Sequence, residues 1–568
     1  MPYRAPVAEY EFLYKHVVGF DQVAGTDRFS EASSDVVTAI LSEGGKLCEE
    51  ILAPLQRVGD TQPARLENGL VRTSPGFPEA WKAITDGGWV SISGDPQYGG
   101  MGLPITLATA VNEMMAAACL SLQIAPLMGQ GQIEALEHHA SDELKELYLP
   151  KLMSGEWTGT MNLTEPQAGS DVGALRTKAE PNGDGTYAIS GQKIYISWGD
   201  HDVADNICHL VLARLPDGVP GTKGISLFLV PKRIPDENGE PGLANSLKVV
   251  SLEHKMGLHG SPTCVMQYEN ATGWLVGKPH GGMAAMFTMM NNARLGVGGQ
   301  GIGVAEGAYQ HALAYALDRK QGGKGPIADH ADVRRMLMTM KADVFAARAI
   351  ACACAVAIDM ETATGHDDWS ARAAFLTPIA KAFGSDVGNE VAATGVQVHG
   401  GMGFVEETGA AQYARDVRVT TIYEGTNGIQ AMDLVARKMM DGGETAARLL
   451  DEIEAQAEEV RAKMPELANL AEGVWQASET LRETTEWLTA QTAMQDRFAG
   501  AVPYLRAFAR VLGGHYHLSA AMADPKGPRA ALARFYIERL LPEHIALLAH
   551  AQSGADGLYT LSLDELAA

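Results

Sequence analysis

"YAISGQKIYIS", residues 187–197, reads as a β-strand inside a chain that otherwise reads as helix. Apolar and polar residues alternate along it around β-branched and aromatic side chains. Similar short runs surround it, "HLVLARL" at 209–215, "GISLFLVP" at 224–231 and "CVMQYEN" at 264–270, with Gly, Pro, Asp and Asn between them. From about Thr158 to Val276 the texture therefore predicts a small β domain. On both sides apolar residues return near the 3.6 period of a helix, as in "LATAVNEMMAAACLSLQ" (107–123) and "ADVRRMLMTMKADVFAARAIACACAVAIDMETA" (331–363). The order predicts a mainly α fold with a central β domain. The expected divisions are an N-terminal helical domain (1–157), the β domain (158–280), a helical bundle (281–440) and a further helical module (441–568).

That order excludes a dinucleotide fold of the strand-turn-helix kind. "GGQGIG", residues 298–303, follows no strand and has the wrong glycine spacing, so close helix packing accounts for it better. The 568 residues are too many for one ordinary core. A net charge of −24 argues against a nucleic-acid or anionic-membrane surface, since both demand a basic face. No apolar run stands out as a bilayer span, and "MPYR" opens no secretory pattern, so the expected location is the cytoplasm. The six cysteines lack metal-finger spacing and are expected to be reduced and mostly buried; no metal is implied.

Three constellations carry chemistry. In "TMNLTEPQAGSDVGALRT" (160–177), the hydroxyls of Thr164 and Ser170 and the backbone N–H groups near Gly169 suit a polar ring edge or a phosphate, although a plain turn explains the same residues. In "SGQKIYISWGD" (190–200), Tyr195 and Ser197 share a face by the strand period of two, offering an aromatic surface and a hydroxyl to a flat ring. The third joins "DRKQGG" (318–323), "QVHGGMGFVEE" (397–407) and "YARDVRVTTIYEGTNGIQ" (413–430), which supply a cation at Arg319, a glycine loop and the carboxylate Glu424.

Together, in this order and spacing, the motifs resemble the acyl-CoA dehydrogenases, flavoenzymes built as a helical domain, a β domain and a helical bundle. The resemblance covers roughly residues 40 to 440. "YRAPVAEYEFLY", "KMGLHGSPT" and the extension after Met440 resemble the long bacterial subgroup of this family, which includes enzymes acting on 3-(methylthio)propanoyl-CoA in dimethylsulfoniopropionate demethylation.

The resemblance implies FAD as cofactor, held by Leu163, Thr164, Gly169, Ser170, Tyr195, Ser197 and Thr426, with Arg319, Gln397, Gly400 and Gly401 reaching the FAD of a neighbouring subunit. It places Ser170, Asn291, Arg294, Tyr423 and Gly425 along the acyl-CoA, and makes Glu424 the catalytic base that removes the α-proton of the thioester while the β-hydrogen goes to the flavin. Such a base needs a carboxylate lifted by desolvation toward neutral pH. One branch of the family carries its base on the long helix before an arginine; here Ala293 precedes Arg294, which leaves Glu424. The expected product is a trans-2-enoyl-CoA, and the expected partners are electron-transfer flavoprotein and a second copy of the chain. A straight short- or medium-chain acyl-CoA is the alternative substrate. An acyl-CoA oxidase and a non-catalytic acyl-CoA-binding protein are the alternative functions.

Overall fold

The computed structural model describes residues 3–323 and 325–568, and these form two units. One unit comprises residues 3–5 and 42–293. Its helices start where the sequence supplies the backbone geometry. Gly76, with φ +82°, turns the chain into the helix Phe77–Asp86, which carries a proline in its first turn. The Ser141 side chain accepts the Leu144 N–H at the start of Asp142–Met153. The helix Ile105–His139 departs from the expectation about apolar runs. An 18-residue window in it is long and apolar enough to cross a membrane, with mean hydropathy 1.5. That window is 94% buried within the fold, and the backbone leaves helical geometry at Cys119. The segment is apolar on all sides because protein surrounds it.

The β domain lies in the same unit. Its long strand Thr263–Val276 pairs antiparallel with Tyr187–Ser197, Leu247–Leu252 and Ile225–Pro231. Ile225–Pro231 also pairs with Asn206–Arg214, which meets Lys178–Pro181, and Lys178–Pro181 pairs with Tyr187–Ser197. This path returns to its start, so the strands close on themselves around a core that includes Ile189, Val211, Phe228, Val230, Met266 and Tyr268. Trp157–Asn162 adds in parallel beside Asn206–Arg214.

The other unit comprises residues 6–41 and 294–568. Three long helices run through it: Gly282–Asp318 from Arg294 onward, Ala331–Thr364 and Asp367–His399. The glycines of "GGQGIG" do what helix packing asks of them. A Cβ on Gly298 would lie 2.7 Å from the Ala380 carbonyl oxygen, and one on Gly301 would lie 2.4 Å from that of Gly384. The helices after residue 440 pack on this bundle, with Met494–Ala523 lying against Ala331–Thr364 and Asp367–His399. Arg510 there bonds the buried Asp343 and also Glu543. The first helix, Val7–His16, belongs to this unit although sequence texture groups it with the N-terminal helices. Arg529 grips Glu9 through both guanidinium nitrogens at 2.6 and 2.7 Å and stacks over Phe12. All six cysteines are buried, and none is joined in a disulfide.

Candidate active site

Glu424 sits on a turn just before the short helix Asn427–Asp433. Its φ is +56° and that of Gly425 is +84°, two left-handed residues in succession, of which the first has a Cβ and resists that conformation. The turn is held from several sides. Thr426 caps the helix, its hydroxyl accepting the Ile429 N–H at 3.3 Å. Gln430, fully buried, donates its amide to the carbonyls of Glu424 and Gly425 at 3.2 and 3.3 Å. Tyr423 donates its hydroxyl to the Gln300 side-chain oxygen.

Two cations face the Glu424 carboxylate: Arg294 from the helix Gly282–Asp318 and Lys381 from Asp367–His399. Burial drives the carboxyl up to about 7 against the pull of both. Arg294 is itself buried and lies 3.6 Å from Asp433, which also meets Arg437 at 3.3 Å. The result is a carboxylate poised to accept a proton near neutrality beside fixed positive charge, which is the requirement for a general base.

Arg319, Gln397, Gly400 and Gly401 are exposed in this unit. A Cβ on Gly400 or Gly401 would meet nothing within 4 Å, so the backbone of this loop is open to a ligand.

In the other unit, the turn after Asn162 carries Leu163, Thr164, Gly169 and Ser170, the last two exposed. The buried Lys193 ammonium organises it, donating to the Leu163 carbonyl at 2.9 Å and to Glu165 at 2.8 Å. Glu165 also accepts from Gln167, from the N–H of Arg176 and from both N–H and hydroxyl of Thr177. Burial acts to raise the Glu165 carboxyl, but Lys193 and these donors outweigh it and hold it down at about 2.

The strand beside this turn does not alternate as its sequence suggests. Cys264 opposes Ile196 and Met266 opposes Lys193, so Ile194 and Tyr195 bulge out opposite Val265. Tyr195, at φ +60°, is left 61% exposed while Lys193 and Ile196 are buried. The bulge aims the Tyr195 ring outward, and Ser197 stays half-buried. An exposed ring beside a turn with open backbone at Gly169 fits a flat, polar-edged group such as a flavin. Asn291 in this unit is exposed.

Sequence reasoning missed both buried lysines, together with Gln300, Gln430 and the Glu165 acceptor. The available signal was a lysine inside an otherwise apolar helical run, "TPIAKAF", and another within a strand.

Family models match most of the chain: "Acyl-CoA dehydrogenase, N-terminal domain" over residues 49–156, "middle domain" over 160–271, "C-terminal domain" over 280–440, and "Acetyl-CoA dehydrogenase C-terminal like" over 449–562. The chain is 44% identical to 3-methylmercaptopropionyl-CoA dehydrogenase of Ruegeria pomeroyi, over 99% of this chain and 100% of that protein. It is 34% identical to a butyryl-CoA dehydrogenase of Syntrophomonas wolfei over 94% of each. The crystal structure of an acyl-CoA dehydrogenase from Bacillus anthracis complexed with FAD superposes with a TM-score of 0.76 at 21% identity, covering 92% of this chain and 89% of that one, a likeness of fold. With a helical part, a closed β domain and a helical bundle that carries a near-neutral carboxylate, the chain belongs to the acyl-CoA dehydrogenase family.

Proposed function

We propose that the protein oxidises the Cα–Cβ bond of 3-(methylthio)propanoyl-CoA to give 3-(methylthio)acryloyl-CoA, with Glu424 as the base that removes the α-proton. The protein is a flavin-dependent oxidoreductase, and FAD supplies its two-electron acceptor. The observation that carries the proton chemistry is the Glu424 turn: a carboxyl raised by burial to about 7, backed by Arg294 and Lys381. Ionised Glu424 takes the α-proton, and the two cations keep its charged form accessible before the substrate enters. The methylthio substituent is supported by the 44% relative that bears that substrate in its name.

Arg319, Gln397, Gly400 and Gly401 belong in this reading to the cofactor half contributed to a second subunit of a homodimer. Their exposure supports it, as does Phe404 of the same loop, which is 90% exposed. Leu163, Thr164, Gly169, Ser170, Tyr195, Ser197 and Thr426 contact the flavin; Ser170, Asn291, Arg294, Tyr423 and Gly425 lie along the acyl-CoA. Electrons leave to electron-transfer flavoprotein, and the enzyme works in the cytoplasm, in keeping with six buried cysteines outside any disulfide. The domain divisions at 157, 280 and 440 belong to the same reading. The second reading, a straight short-chain substrate, is favoured by the butyryl-CoA dehydrogenase relative.

Anaerobic bleaching of the flavin near 450 nm by 3-(methylthio)propanoyl-, butanoyl- and octanoyl-CoA tests both parts. Fast bleaching by the methylthio thioester, abolished in Glu424→Gln, is the expected result. Bleaching by straight-chain thioesters alone removes the sulfur substrate, and a Glu424→Gln protein that bleaches at the wild-type rate removes the base.

A further inference from the structure

The helix Asp367–His399 clasps the turn that carries the base. Lys381, fully buried, donates its ammonium to the Gly425 carbonyl at 2.9 Å and to the Asn427 side-chain oxygen at 2.8 Å. Asn427 in turn donates its amide to the Asp386 carboxylate at 2.7 Å, to the Ser385 hydroxyl at 3.0 Å and to the Ala382 carbonyl at 3.2 Å. Residues 381, 382, 385 and 386 follow the spacing of one helix face, so a single rigid surface holds residues 425–427.

The object of this clasp is strained backbone. A non-glycine residue in the left-handed region costs on the order of 1 kcal/mol and persists only where surrounding structure over-determines it. A neutral hydrogen-bond donor would satisfy the same carbonyl. An ammonium in this place is costly unless its charge has use, because burial opposes it. Burial indeed pulls Lys381 down to about 8, while Glu424 and Asp386 oppose that fall and Arg294 adds to it.

We propose that Lys381 is a positioning residue for the reaction: its ammonium locks the Glu424–Gly425 turn and supplies part of the positive charge that keeps the Glu424 carboxylate ionised. The proposal rests on the reading of Glu424 as the base. The charged and titratable groups around the pair are Arg294 with its partners Asp433 and Arg437, the phenol of Tyr423, and Asp386. Of the two cations lowering the Glu424 carboxyl, Arg294 is the first and Lys381 the second, so loss of Lys381 leaves the base weakened in its ionised form but present.

The test uses the FAD-loaded enzyme with Lys381→Met, Lys381→Arg and Glu424→Gln, reading kcat and KM from pH 5.5 to 9, flavin content and thermal unfolding. Lys381→Met is expected to keep its flavin, to lose roughly tenfold or more in kcat at pH 7 with KM changed little, and to move the acid limb of kcat upward by about one unit. Lys381→Arg, which keeps the charge, returns the limb toward its wild-type position. An acid limb that stays put in Lys381→Met, with kcat lowered evenly at all pH values, reduces the lysine to a structural prop and overturns the proposal. If Lys381→Met does not fold, Lys381→Gln carries the same test with a neutral donor in place. Glu424→Gln separates the two ideas: its full activity defeats the base, whereas an inactive Glu424→Gln beside an unmoved limb in the lysine variants defeats the lysine proposal alone.

Discussion

Replacing Lys193 by methionine examines the turn beside the Tyr195 bulge. The Lys193 and Glu165 side chains are 0% and 4% exposed and meet at 2.8 Å. Breaking a pair so enclosed costs about 3–5 kcal/mol, because the remaining charge is stranded. Here Glu165 keeps four other donated bonds, so the lower end, about 3 kcal/mol, is expected. Changing Glu165→Gln as well removes the stranded charge but leaves one oxygen, enough for either the Arg176 or the Thr177 N–H, which the carboxylate accepts on different oxygens, so the double variant should recover only part of the loss. Urea unfolding followed by flavin fluorescence reads the stability, and FAD titration of the apoprotein reads the turn, which should bind FAD more weakly once the Leu163 carbonyl loses its lysine. The pH dependence has a definite sign. The folded carboxyl of Glu165 is depressed from its ordinary 4.5 to about 2, so its stabilisation is present above about 4.5 and is lost as pH falls toward 2. Lys193→Met should show a flatter acid profile across that window. A single variant within about 1 kcal/mol of wild type, or a double variant no better than the single, refutes the reasoning.

Gly301→Ala should cost about 1–3 kcal/mol and lower the melting temperature, since its Cβ meets the Gly384 oxygen at 2.4 Å and the Ser385 Cα at 2.6 Å, both backbone. Gly299→Ala on the same helix meets nothing and should be neutral or stabilising by up to about 1 kcal/mol; equal melting temperatures for the two variants contradict the packing. Arg510→Met strands Asp343, which burial already pushes up, and should destabilise the bundle by about 3–5 kcal/mol in denaturant titration, with Asp343→Leu added to it restoring part. In the wild-type enzyme kcat/KM should rise with pH through about 7 as Glu424 ionises, and a flat profile between pH 5.5 and 8 speaks against that carboxylate as the base.

The β domain and the helices around it were legible because periodicity is a local signal. Glu424 and Tyr195 were singled out by the company they keep in sequence, yet neither left-handed backbone was foreseen: a strand pattern over 187–197 does not reveal that Ile194 and Tyr195 face Val265 together. What periodicity leaves out is partnership across distance. Lys381 lies 44 residues from the carbonyl it holds, and Lys193 lies 28 from its carboxylate. A helical pattern places each on a face without naming what covers it. The helix Ile105–His139 shows the same limit from the other side, since its uniform apolarity describes a protein interior and a bilayer equally well. The grouping of residues 6–41 with the second half of the chain rests on contacts such as Arg529 with Glu9, some 520 residues apart, which no local pattern encodes.

The two units share one physical solution. In each, a residue with functional promise takes a left-handed backbone, Tyr195 at φ +60° and Glu424 at φ +56°, where glycine would be easier. Glycine in either place would remove the side chain that the proposed chemistry uses. Near each lies a fully buried lysine pulled by burial to about 8 and bonded to one turn carbonyl, that of Leu163 in the first case and that of Gly425 in the second, with a carboxylate nearby. The pairings differ in a way that matches the tasks. Lys193 meets its carboxylate directly at 2.8 Å, and Glu165 is held ionised at about 2, a fixed charge for a fixed turn. Lys381 reaches Glu424 only through space while bonding the turn around it, and that carboxyl stays near 7. A direct bond would lower the carboxyl as it does in Glu165 and deprive it of basicity. Placing the lysine on the neighbouring carbonyl instead secures the backbone and leaves the carboxylate able to take a proton.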